Sequence, residues 1–199
     1  MVTHIVGGGI GVITLVFCIL LSSFEGSVSD ILCGIIFGLS MIALYTMSSI
    51  YHGLPYSTSK KVFQILDHVS IYWLIAGTYT PVLICAMAEK YPVEAFVTFG
   101  LVWGLSILAT VLTAIDLKKY RVFSMICYVG MGWAIIFSAK QAFISLGAQG
   151  FFWILFGGIL YTAGVFFFVK KARYFHSVFH IFVVLGSLCH SVAVIFYVL

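Results

Sequence analysis

His176 and His180 stand four residues apart in His176-Ser177-Val178-Phe179-His180, a spacing that sets both imidazoles on one face of a helix. Ser48 and His52 share that spacing, and Asp67 runs directly into His68. Two imidazoles one turn apart are a ready source of two metal ligands. A third, from another helix, would complete a set of three, and three histidines with water in the fourth position form a common catalytic zinc arrangement. Imidazole also suits other divalent metals, so this chemistry favours zinc without requiring it. A carboxylate such as Asp67 beside the group could orient the water and take its proton. Plainer readings stand next to these. A membrane histidine often just bonds a neighbouring carbonyl, and Asp67 could cap a helix and favour its dipole.

Scarcity makes these residues candidates. Asp, Glu, Lys and Arg together are only 8% of the chain, apolar residues are 63%, and the mean hydropathy is +1.19. Soluble domains carry about 25% charged and about 45–50% apolar residues. A water-soluble fold of this composition would expose large apolar patches. The sequence therefore reads as an integral membrane protein, in which an ionisable group within a span is costly and is a functional candidate by default. The 199 residues leave room for one domain, 1–199, and the net charge of +4 is too small to suggest nucleic acid. Cys18, Cys33, Cys85, Cys127 and Cys189 lie in apolar runs without a C-x-x-C pair, and read as small packing residues. No basic stretch precedes the apolar run 5–21, so the first segment is expected to be a retained helix rather than a signal peptide.

The elements that must position the candidates follow from run length, since a helical span needs about 20 mostly apolar residues. Seven runs qualify: 5–22, 30–52, 64–86, 95–115, 121–138, 150–169 and 174–198. They are too long, and alternate too little, for barrel strands. The expected fold is an all-α membrane protein, a seven-transmembrane-helix bundle. Gly7 and Gly11, Gly34 and Gly38, and Gly100 and Gly104 are each four apart and suit close helix packing. Gly77 and Pro81 suggest a kink in the third run. The second, fourth and sixth breaks hold Lys60, Lys61, Lys118, Lys119, Arg121, Lys170, Lys171 and Arg173, eight of the ten basic residues. The positive-inside rule then makes the N-terminus cytoplasmic and the C-terminus extracytoplasmic. On that topology His52, Asp67, His176 and His180 all fall at the cytoplasmic ends of their helices.

At these residues the sequence resembles the hemolysin III proteins of bacteria, which belong with the progestin and adiponectin receptors in one seven-helix superfamily. The resemblance rests on Ser48-x3-His52, on Asp67-His68 leading into Leu74-Ile75-Ala76-Gly77-Thr78-Tyr79-Thr80-Pro81, and on His176-x3-His180 with His190 following. Thr3-His4 also looks like the family's N-terminal Thr-His. The resemblance implies a zinc ion held by His52, His176 and His180, with Asp67 contacting its water and Ser48 supporting the site. His68 and His190 fit the bacterial pattern without being ligands. The long N-terminal segment of the animal receptors has no counterpart ahead of His4, so adiponectin binding is not expected.

Three functions follow as expectations. The first is zinc-dependent hydrolysis of a lipid amide or ester, a ceramidase-like chemistry; no G-x-S-x-G elbow offers a serine nucleophile instead. The second is a non-enzymatic regulator or sensor of membrane fluidity with structural zinc. The third is the cytolytic, pore-forming activity of the family's name, which ranks last because the composition offers no soluble state. A transporter is weaker still, because the deeper half of the membrane holds His190 and little else that is polar. Membrane lipids are the expected partners in the plasma membrane. No protein partner is evident, and the glycine spacing leaves a homo-oligomer open.

Overall fold

Long apolar runs become helices because a bilayer offers backbone groups no other hydrogen-bond partners. The computed structural model describes residues 2–25, 28–170, 172 and 174–199. Gly26, Lys171 and Arg173, which figure in the expected polar breaks, lie outside them. The helices are α1 (Val2–Glu25), α2 (Val28–Gly53), α3 (Thr58–Pro81), α4 (Pro92–Ile115), α5 (Arg121–Gly132), α6 (Ala139–Val169) and α7 (Phe175–Tyr197). A π-helical turn, Val82–Met87, follows α3, and a 3-10 turn, Ala134–Ser138, joins α5 to α6. No strand occurs among the described residues. Among the described residues six segments are long and apolar enough to cross a membrane; one of them, Arg121–Val169, is 49 residues long.

Helix boundaries follow local chemistry. Ser57 starts α3 by accepting the Lys60 amide at 3.2 Å. Asp116 turns the chain between α4 and α5 by accepting the Lys118 and Lys119 amides at 3.0 and 2.9 Å. Pro81 closes α3, and the chain passes directly into the π turn rather than stopping. The polar break expected at 139–149 is mostly helical. Lys140 and Gln141 favour helix, and Gln141 Nε2 donates to Glu94 Oε1 at 3.1 Å, which anchors this end of α6 to α4. The interruption comes only at Gly147, whose φ of 69° and ψ of 173° suit glycine alone. Tyr79 stabilises the other interruption. Its hydroxyl donates to Gly132 O at 3.0 Å and accepts the Ile135 amide at 2.8 Å, so backbone groups freed between α5 and the 3-10 turn stay paired.

Lipid tails are as apolar as leucine, so these helices associate through close packing and interhelical hydrogen bonds. The glycines of α1 and α2 show it. A Cβ on Gly7 would enter the Tyr45 ring, and one on Gly38 would lie 2.6 Å from Leu15 Cβ. Gly34 similarly accepts Cys18, whereas Gly100 and Gly104 face nothing within 4 Å. Phe37, Met41, Tyr45, Leu74, Val183 and Val194 fill the core where α1, α2, α3 and α7 meet. Hydroxyl pairs tie helix to helix: Thr14 to Ser191 at 3.0 Å and Tyr72 to Thr113 at 3.0 Å. Phe24, Phe137 and Phe196 point outward, as lipid-facing rings should.

Candidate metal centre

The last turn of α2 and the first two turns of α7 converge. His176 Nε2 lies 3.3 Å from His52 Nε2 and 3.0 Å from His180 Nε2. The three rings offer ligand atoms that all lie within 4.8 Å of one another, and they could hold a metal ion. Exposure falls along the group, from exposed His176 through half-buried His52 to buried His180. A neutral imidazole has one N–H and one lone pair. Three Nε2 atoms turned on one point cannot all satisfy each other by hydrogen bonding, but three lone pairs can share a cation. Tetrahedral zinc with Zn–N of about 2.0–2.1 Å sets ligand nitrogens about 3.3 Å apart. The observed spacings of 3.0 and 3.3 Å fit that requirement.

Local structure explains how α7 reaches the site. Tyr174 caps it in the left-handed region (φ 69°), and the Val178 amide bonds back to Tyr174 O at 3.0 Å. His176 and His180 then project from one helical face, as their spacing predicts. On α2, Ser48 lies one turn before His52. Its hydroxyl faces the Asp67 carboxylate of α3, so the two residues named with the histidines are neighbours. Both line the cavity that the histidines border.

That cavity encloses about 670 Å³, within the range of small-molecule sites. Its walls are mainly apolar, including Ile71, Leu74 and Val183, while Lys118 and Arg121 stand on the same lining as the histidines. His68 and His190 line the cavity too, each tethered to a carbonyl: His68 Nδ1 to Gln64 O at 2.8 Å and His190 Nε2 to Ile154 O at 3.1 Å. Neither belongs to the group of three.

The structure adds polar groups that the sequence did not single out. Tyr45 and Tyr161 each place a hydroxyl 2.7 Å from Ser187 Oγ, and Tyr161 packs against His190. The deeper half of the bundle is thus more polar than His190 alone implied. His4, which the sequence marks only as part of the family-like Thr3-His4, also reaches the site. Its ring centroid lies 3.9 Å from that of His180, beside the centre. The Gly7–Gly11 spacing and the Thr3-His4 pair were the hints that α1 comes this close.

Fold and site define a multi-pass helical membrane protein with a three-histidine group at one end of an internal cavity. The sequence matches the family described as Haemolysin-III related over residues 1–191, and the chain belongs to that family. It is 36% identical to the Hemolysin-3 homolog of Bacillus subtilis (strain 168), over 98% of this chain and 91% of that protein. It is 35% identical to Hemolysin-3 of Bacillus cereus, over all of this chain and 90% of that protein. A more distant relative is the human monocyte to macrophage differentiation factor, 26% identical over 80% of this chain and 67% of that protein.

Proposed function

We propose that this chain is a zinc-dependent hydrolase of membrane lipid amides or esters, acting in lipid and fluidity homeostasis in the plasma membrane. One observation carries the reading. Three imidazoles whose ligand atoms lie within 4.8 Å of one another converge on the edge of a largely apolar cavity, which Asp67 and Ser48 also line. Zinc, when bound, supplies Lewis acidity that polarises a carbonyl and acidifies a water. The remaining tasks fall to the chain. Asp67 accepts the proton of the attacking water. Ser48, beside Asp67, orients that carboxylate and acts as a positioning residue. The apolar walls hold the lipid's hydrocarbon and keep bulk water away.

The same reading gives the bundle seven crossings. At about 1.5 Å per residue, the 49 residues of Arg121–Val169 would extend about 74 Å as one rod, while a hydrocarbon core is about 30 Å thick. Two crossings, divided near the 3-10 turn and Gly147, resolve the difference. The N-terminus and the metal centre are then cytoplasmic and the C-terminus extracytoplasmic.

The decisive experiment is elemental analysis of purified protein together with hydrolysis of lipid amides and esters in detergent micelles. Zinc in equal amount to protein, with turnover abolished by His176→Ala, is expected; turnover retained by that variant would refute the hydrolase. A second reading rests on the name the Bacillus relatives carry. Lysis of red cells by nanomolar protein without detergent would favour cytolysis, while intact cells would leave the hydrolase standing alone.

A further inference from the structure

Cys33 and Cys85 stand too far apart in the sequence to read as a paired motif, yet the fold brings them together. α2 begins at Val28, α3 runs back beside it, and the π turn Val82–Met87 follows α3 at the end of the bundle opposite the histidines. That turn packs against α2. Cys33 lies one turn inside Asp30, and Cys85 lies one turn before the exposed Glu89 and Lys90, so both occupy one depth near the bundle end. There the two thiols face each other, with Asp30 beside Cys85 and Ser29 beside Cys33. Cys33 is 5% exposed, Cys85 is half-buried, and both are free thiols. Cys18, Cys127 and Cys189 are buried elsewhere, and none of them meets a second thiol among the described residues. Packing accounts for a single small buried residue. It does not account for two sulfurs brought face to face beside a carboxylate, one of them on a π turn, a rare element that is frequent at functional sites.

We propose that Cys33 and Cys85 form a modification site, a dithiol that a small-molecule disulfide oxidises to an intramolecular disulfide joining α2 to the π turn. The site is separate from the metal centre and does not depend on the hydrolase reading. The Cys85 sulfur, the more accessible of the two, attacks one sulfur of the oxidant while the Asp30 carboxylate accepts its proton. One half of the oxidant leaves and takes that proton, giving a free thiol and a mixed disulfide on Cys85. The Cys33 sulfur then attacks the Cys85 sulfur and expels the other half, which leaves with the Cys33 proton as a second thiol. The oxidant's S–S bond is exchanged for one in the protein; the protein gives up two hydrogens and the oxidant gains them. The proposed topology sets this end of the bundle outside the cytoplasm, where disulfides form and persist.

The test exposes the reduced, purified full chain in detergent micelles to glutathione disulfide, then alkylates the denatured protein and maps its peptides by mass spectrometry. In wild type two of the five thiols should be lost, the protein should become lighter by two hydrogens, and one peptide pair should be linked through Cys33 and Cys85. Cys33→Ser should instead keep one glutathione on Cys85, and Cys85→Ser should leave buried Cys33 unreacted. Cys18→Ser should close the same bond as wild type. Five thiols surviving in wild type would overturn the proposal. So would glutathione on Cys33 and Cys85 separately, or a disulfide that maps to Cys18, Cys127 or Cys189. The wild-type peptide map decides by itself, so a variant that fails to fold does not shelter the idea. Because the reaction is run in micelles, a reversed orientation in the membrane would leave its outcome unchanged.

Discussion

Taking one imidazole away from the centre leaves two nitrogens to hold a divalent ion. His52→Ala is therefore expected to reduce bound zinc to background by elemental analysis, while His68→Ala, with its ring tethered to Gln64 O at 2.8 Å, should retain it. Asp67→Asn separates binding from chemistry. It keeps the ligands and the shape but loses the proton acceptor, so zinc should stay and turnover should fall about 100- to 10,000-fold. The three clustered histidines were legible because their spacing is helical and polar residues are scarce. Their convergence was legible only through the helix topology and the family resemblance, since spacing alone does not relate residue 52 to residue 176. His4 was less legible still: its place depends on the depth at which α1 settles against α2, and that is fixed by one ring, Tyr45, meeting one bare backbone at Gly7.

Helices of this bundle are held by contact rather than by expulsion of water, which makes the small residues between them sensitive. Gly38→Leu would drive a side chain into Leu15, whose Cβ lies 2.6 Å from the added Cβ position. It should cost about 1–3 kcal/mol and lower the midpoint of thermal unfolding in detergent. Gly100→Ala meets nothing within 4 Å and should be neutral or stabilise by up to about 1 kcal/mol through helix propensity. The two substitutions divide glycines of identical spacing into those that pack and those that do not, a distinction pattern alone cannot make. Run length located most helices well, because apolar length is what a bilayer demands. It misjudged the start of α6, where Lys140 and Gln141 are polar but still helical and only Gly147, at φ 69°, breaks the pattern.

In the molecule as a whole, an ion shared by His52, His176 and His180 would join α2 to α7 across 124 positions of chain. A ligand that binds only the folded state stabilises it by mass action. Removing zinc with a chelator should therefore lower the unfolding midpoint by roughly 5–10 °C, zinc should restore it, and His52→Ala should start at the lowered value and respond to neither. The His52–His176 contact has one more consequence, for the order in which the molecule is made. Chains emerge N-terminal end first. His52 is delivered to the membrane early, and its partners arrive only with α7, 124 positions later. A nascent or prematurely terminated chain ending before α7 carries the cavity-lining Asp67 and Ser48 but has no complete cradle for the ion. On the proposed function, a copy that lacks α7 would hold neither the ion nor the hydrolytic chemistry.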